Sequence, residues 1–168
     1  MTVRRLSYPV RLMLALTAVA VVLPVFASAQ DLDWNRVDDP MYEAIGLQLG
    51  LATGTGLSYK FPLKWWLYAQ ITGGIWNDSN DKRHNLGAEL QYILRASGRD
   101  KLFLGAGLGH YYHKKPGRTL DHVNTMFGVG LERLYGERTA VQLEVDFLYQ
   151  SNDDSVILFP QAGVYFYF

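Results

Sequence analysis

The side chains able to take part in reactions are few and gathered in polar segments. Four histidines occur, His84, His110, His113 and His122, with Ser79 and Ser151 and the acids Asp78, Asp81, Asp153 and Asp154 nearby. His110-Tyr-Tyr-His113 has the look of a metal pair, but on a strand a spacing of three sends two side chains to opposite faces. The residues that usually complete a zinc site are also missing, and the aspartates lack the spaced ladder and glycine of a calcium loop. No metal and no cofactor is expected. A serine nucleophile needs a base within hydrogen-bond reach; Ser79 and Ser151 lie in loops that can approach His84 or His113, which loops and histidines in these numbers allow without any catalytic role. Lys82, Arg83, Lys114, Lys115 and Arg118 form a basic group of the kind that binds phosphate.

A second set of charges lies inside regular segments. Lys60 and Arg95 oppose Glu89, Glu132, Glu144 and Asp146, all six on one parity of an alternating pattern. From Tyr42 onward the apolar period is two, the period of a strand. Eight stretches alternate, represented by Ile45-Leu47-Leu49, Leu57-Tyr59-Phe61, Leu67-Ala69-Ile71 and Leu86-Ala88-Leu90 in the first half. Leu102-Leu104-Ala106-Leu108, Phe127-Val129-Leu131, Val141-Leu143-Val145-Phe147 and Ala162-Val164-Phe166-Phe168 make up the second. Extending the pattern through Leu94 sets Arg95 on the inner parity, and Trp66 falls on it as well. The connections alternate in length. Pro62–Lys64, Ala96–Asp100 and Tyr135–Arg138 read as tight turns, and the longer polar loops are Asn77–His84, His113–His122 and Gln150–Ser155.

Residues 1–29 stand apart. Arg4, Arg5 and Arg11 precede an apolar run from Leu12 to Phe26, and Ala27-Ser28-Ala29 supplies small residues for cleavage before Gln30, the order of parts in a secretory signal peptide. The run is too short to span a bilayer as a helix. Without those three arginines the chain keeps 13 of its 16 basic residues against 16 acidic ones, so nucleic acid is not an expected partner. Residues 30–41 are acidic and polar and end at Pro40-Met41, a flexible lead-in to the domain at 42–168. The chain contains no cysteine, so no disulfide holds this domain.

Alternation fits a soluble barrel with its apolar face inward as well as a membrane barrel with its apolar face outward. The polar parity decides between them. It is built of Gly, Gln, Ser and Tyr, not of the dense Lys and Glu that a wetted face carries. An eight-stranded lumen holds only packed side chains, and small residues suit it. Short turns at one end and long loops at the other are the asymmetry of a transmembrane barrel. The closing segment Phe159–Phe168 (FPQAGVYFYF) is apolar at every second position back from a terminal Phe168. In this it resembles the last strand of small outer-membrane barrels of the OmpA/OmpX type.

The expected fold is therefore all-β, an eight-stranded antiparallel up-and-down transmembrane barrel. The resemblance implies recognition of Phe166 and Phe168 by the barrel-assembly machinery. It also implies an outer-membrane location among lipid and lipopolysaccharide, whose phosphates Lys82, Arg83, Lys114, Lys115 and Arg118 would meet. Pro160 should mark a strand start or a bulge. The expected role is structural or surface-interacting, around an interior plugged by the six-charge network. Alternatives are a narrow small-solute channel and a lipid-modifying enzyme like a lipid A deacylase, although the His-x-Ser arrangement of that family is absent from this sequence.

Overall fold

The computed structural model describes residues 42–78, 81–151 and 154–168. The leader at 1–29 and the lead-in at 30–41 lie outside them, as do Ser79 and Asp153. Eight strands follow one another: β1 (Ala44–Leu49), β2 (Gly56–Lys64), β3 (Leu67–Asp78), β4 (Asp81–Ser97), β5 (Asp100–Lys115), β6 (Arg118–Tyr135), β7 (Thr139–Gln150) and β8 (Ser155–Tyr167). Each pairs antiparallel with its sequence neighbour, and β1 pairs with β8 from Ala44↔Tyr167 to Leu49↔Ala162, so the sheet closes into a barrel. Closure removes the free edges that an open sheet would present.

The alternation resolves as two walls. Leu47, Leu57, Ile75, Leu86, Leu143 and Phe166 are exposed on the outer surface. Lys60, Gln70, Gln91, Glu144, Asp146 and Tyr165 are buried inside. A β-sheet in water does the reverse, because apolar area leaves water favourably.

Several local expectations are corrected. The turn placed at Pro62–Lys64 lies one step later, at Trp65-Trp66; β2 runs on through Pro62 with a register shift between Pro62 and Lys64. Trp66 then leaves the inner parity, and its ring packs on Tyr92 at 5.5 Å. A second register shift, between Ile93 and Arg95, buries both Ile93 and Leu94 and turns Arg95 outward, where it is exposed. One extra residue in a strand reverses every later side chain, so Arg95 is not part of the interior.

Pro160 neither starts β8 nor makes a bulge; it pairs with Val145 in an unbroken register. β1 ends opposite Ala162, so beyond that point β8 has a neighbour on one side only. A missing backbone donor is tolerated in such an edge position.

The long polar loops are largely strand. β4, β5 and β6 have 17, 16 and 18 residues, where about ten cross a bilayer. The ladder continues past the apolar belt because paired backbone needs no apolar side chains. β5 and β6 are joined by Pro116-Gly117 alone, with Gly117 at φ 75°, a left-handed turn conformation open to glycine.

Candidate functional site: the barrel interior and the outer rim

The interior is built from the inward residue of every second position, and its lower layer centres on Glu132. Lys60 Nζ on β2 donates to Glu132 Oε2 on β6 at 2.5 Å and to Gln142 Oε1 on β7 at 2.6 Å. The Tyr167 hydroxyl donates to Glu132 Oε1 at 2.6 Å. Lys101 Nζ lies 3.6 Å from the same oxygen and 4.8 Å from the ring centres of Tyr68 and Tyr167. Lys60 also sits 4.3 Å over the Tyr165 ring, so both ammonium groups face aromatic π-clouds as well as a carboxylate. A charge with almost no solvent is retained only when paired and hydrogen-bonded in this way.

Lys101 was missed in the sequence because it adjoins the Ala96–Asp100 turn. Counting back from Gly105 by twos reaches Phe103 and then Lys101 on the inner parity, and that count was the available signal.

Above this layer lies a belt of amides and hydroxyls. Gln70 donates to Gln48, Ser58 and Thr72 share a hydrogen bond of 2.8 Å, and the Tyr165 hydroxyl reaches Gln48 Oε1 at 3.0 Å. Gln91 Nε2 donates to Glu89 Oε1 at 2.7 Å. Glu144 and Asp146, on β7, are buried beside this belt, 2 % and 0 % exposed. Lys60 was expected to face them. It reaches one rung lower, to Gln142, and pairs with Glu132. Glycines make the room: a Cβ on Gly105 would stand 2.2 Å from Glu144 Oε1, and one on Gly128 would stand 2.0 Å from Asp146 Oδ1.

The β1–β2 connection also occupies the interior, which the sequence reading treated only as a short hairpin. Ala52, Thr53 and Gly54 are buried. Thr53 Oγ1 accepts from Gln48 Nε2 at 3.2 Å and donates to Glu89 Oε2 at 3.4 Å; Thr55 N donates to Asn85 Oδ1 at 2.9 Å. From β6, Asn124 Nδ2 donates to the Leu51 carbonyl at 2.8 Å.

At the loop end the basic residues separate onto two faces. Lys82 and Lys114 are register partners on the outer face, one row above the pair His84↔Tyr112. Those two rings stack at 4.6 Å, and His110 Nε2 lies 2.7 Å from Asp121 Oδ1 in the same region. Arg83, His113 and Lys115 take the inner parity and converge on Asp81. Arg83 forms a hydrogen-bonded pair with it at 2.5 Å, His113 Nε2 lies at 2.8 Å, and Lys115 Nζ at 3.9 Å. The Arg83 hydrogen bond, with attraction from Arg83 and His113, holds the Asp81 carboxyl well below its ordinary value, at about 2. Arg118 pairs with Lys115 at the hairpin tip. The Ser151 hydroxyl accepts from the Val123 backbone N–H at 3.2 Å.

Phe166 and Phe168 project outward, 47 % and 55 % exposed, and between them Tyr167 is buried, with Tyr165 likewise inside. The Phe168 N–H donates to the Glu43 carbonyl at 3.0 Å, which carries the seam to the last residue.

No protein-family model matches the chain. A search of the curated proteins gives no match either. Solved structures do match. The N-terminal β-barrel domain of Pseudomonas aeruginosa OprF superposes with a TM-score of 0.57 at 16 % identity, over 76 % of this chain and 96 % of that one. Ail, the attachment invasion locus protein of Yersinia pestis, in complex with the heparin analogue sucrose octasulfate, gives 0.42 at 14 % identity, over 76 % and 97 %. The de novo designed TMB2.3 gives 0.40 at 20 % identity, over 77 % and 95 %. With eight antiparallel strands, an apolar outer wall and a polar inner one, this chain has the fold of the small eight-stranded outer-membrane β-barrels, the OmpA/OmpX type.

Proposed function

We propose that the protein is exported by cleavage before Gln30, resides in a bacterial outer membrane and works as a closed, surface-presenting barrel that carries no pore. One observation supports this reading most directly: Lys60, Phe103 and Tyr165 are each about 1 % exposed at the level where a pore would have to pass. Eight strands leave room only for side chains. Across that level Lys60, Glu132, Gln142 and Tyr167 hydrogen-bond to one another.

What remains for function is the outside. β4, β5 and β6 rise beyond the apolar belt and present Lys82 and Lys114 outward, above the His84–Tyr112 stack. A cationic row directly above an apolar wall is at the height of lipid phosphates, and lipopolysaccharide is the partner this arrangement suits. Lys82 and Lys114 are the contacts; Arg83 and Lys115 are drawn to Asp81 on the other face, and Arg118, the register partner of Lys115, takes the inner parity as well. Phe166 and Phe168 serve the assembly machinery as an outward aromatic signal on the seam strand.

The test has two arms. Fractionation of expressing cells should place the cleaved protein with outer membranes, and the purified barrel in planar bilayers should show no steady conductance. Lipopolysaccharide titrated onto the detergent-solubilised barrel should bind Lys82→Ala/Lys114→Ala more weakly than wild type, and Arg118→Ala as wild type does. A steady ohmic pore, or equal binding by all three proteins, overturns the corresponding part.

A further inference from the structure

We infer that the segment Gly50–Thr55 is a separable stopper, which alone seals the loop-end half of the barrel above a chamber floored by the carboxyl groups of Glu89, Glu144 and Asp146. The inference rests on the closed-interior reading and goes beyond it, because it assigns the seal to one short connection instead of to the strand side chains.

The geometry begins with unequal strand lengths. β1 has six residues and β2 nine, while β4, β5 and β6 have 16 or more. β1 stops opposite Ala162, and the chain then turns into the lumen. Ala52 packs among Met126, Leu148 and Phe159, from β6, β7 and β8. Thr53 N donates to Gln161 Oε1 on β8 at 3.5 Å, and Thr53 Oγ1 donates to Glu89 on β4. The Tyr111 hydroxyl, from β5, donates to the Gly50 carbonyl at 3.4 Å. Five other strands of the barrel, β4 to β8, thus hold one loop.

Its seat is made of glycine. A Cβ on Gly87 would stand 1.9 Å from the Thr53 carbonyl oxygen, and one on Gly109 would stand 2.5 Å from that of Ala52. These are clashes with backbone, so no rotamer change relieves them; either the strand or the loop must move. Gly54, buried at φ 121°, lets the loop reverse in so little space.

The loop is also weakly attached. Its one large apolar side chain, Leu51, is 41 % exposed and points away from the lumen. Inside it contributes a methyl group, a threonine and glycines; its hydrogen bonds to the deeper wall are 3.2 Å or longer, and the two shorter ones, at 2.8 and 2.9 Å, come from Asn124 and Asn85. Below it stand Glu89, Glu144 and Asp146, whereas Lys60 and Lys101 are engaged with Glu132 at the turn end. With the stopper withdrawn, the loop-end half becomes a blind vestibule whose floor carboxyls ionise once water reaches them, with the Lys60–Tyr165–Phe103 layer intact beneath.

The chain has no cysteine, so a single Met126→Cys probe reports on the space behind Ala52. It is reacted in the folded, detergent-solubilised barrel with two impermeant thiosulfonates, one carrying trimethylammonium and one carrying sulfonate. Met126→Cys alone should label slowly. Adding Gly87→Val should accelerate labelling by about ten-fold or more, as local opening exposes the thiol. The cationic reagent should gain more than the anionic one, and Glu144→Gln/Asp146→Asn should remove that preference.

Gly73→Val, where a Cβ meets nothing closer than 3.5 Å, is the control and should leave the rate unchanged. Ala52→Asp, which drives the loop out by placing a charge in its apolar seat while the strands stay intact, is the second route should Gly87→Val fail to fold. Heat-modifiable gel migration verifies folding in each case. Rapid labelling of Met126→Cys without a second change overturns the closed interior itself. Slow labelling in folded loop-displaced barrels leaves the closed interior standing and overturns the stopper.

Discussion

Lys60 and Glu132 are 72 positions apart in the chain and meet at 2.5 Å inside the barrel, each less than 5 % exposed. Glu132 also draws Lys101, at the longer distance of 3.6 Å. The pair exists only because β1 and β8 close the sheet, so it reports on closure as well as contributing to it.

Breaking a buried pair costs about 3–5 kcal/mol, and removing Lys60 leaves Glu132 only the more distant and partly exposed Lys101. Lys60→Ala should therefore unfold at a markedly lower urea concentration in lipid or detergent. Leu143→Ala on the outer wall, 57 % exposed, should cost about 1–2 kcal/mol, the value of a partly covered aliphatic group. Lys101→Ala should fall between them, because Lys60 still neutralises Glu132. Equal midpoints for Lys60→Ala and wild type would show that the interior does not depend on the pair.

Asp81 gives a pH prediction outside the membrane belt. Its carboxyl is held at about 2, mainly by the hydrogen bond from Arg83. A carboxyl depressed on folding contributes stability above its unfolded value, about 3.9, and loses it as pH falls through the folded value. The hairpin contact of β4 and β5 should thus persist at pH 4 and weaken only toward pH 2. Carboxyl chemical shifts should titrate with a midpoint near 2 in wild type and close to 4 in Arg83→Ala. A wild-type midpoint near 4 would mean that the Asp81 cluster does not hold in solution.

Two glycines separate steric from conformational demand. A Cβ on Gly130 would stand 2.1 Å from Phe103 Cζ, inside the layer next to Lys60. Gly130→Ala must push that ring, and overpacking of this kind costs about 1–3 kcal/mol. Gly98 has nothing within 4 Å, but its φ is 53° in the β4–β5 turn. Gly98→Ala pays only the left-handed strain, about 1 kcal/mol. Replacing Phe103 by Leu should restore part of the loss at Gly130 and none at Gly98, a double-mutant comparison read by urea midpoints.

What the sequence disclosed follows from physics that is local. Side chains of a strand alternate by geometry, so Leu143 and Glu144 declare opposite walls without any knowledge of the fold. The same parity placed Phe166 and Phe168 outside and Tyr165 and Tyr167 inside. Where the chain inserts one residue, parity no longer carries over, and Arg95 was misplaced for that reason: nothing in Leu94 marks the register shift. The inward loop was hidden for a different reason. Gly87, Gly107 and Gly109 read as small residues suited to a narrow lumen, and in the folded barrel Gly87 and Gly109 lie against the carbonyls of Thr53 and Ala52. Strand length was underestimated because polarity was taken to end the strand, while pairing between backbones continues through Lys82↔Lys114.

The terminal residues separate assembly from stability. Phe168 is outward and 55 % exposed, and its backbone N–H is fixed to Glu43. Tyr167 is inward, and its hydroxyl donates to Glu132. Phe168→Asp puts a charge on the lipid-facing wall at the seam and removes the terminal aromatic. It should lower the yield of folded barrel in outer membranes severely, while the fraction that does fold unfolds near the wild-type urea midpoint. Tyr167→Phe keeps the ring and deletes one hydrogen bond to a charged group, a loss of about 1.5–3 kcal/mol. It should assemble with nearly normal yield and unfold earlier. Yield is read from heat-modifiable migration of membrane fractions, and stability from urea unfolding of the purified barrel. If Phe168→Asp assembles as well as Tyr167→Phe, the outward aromatic is not the assembly signal, and the last strand acts through its backbone pairing with β1 alone.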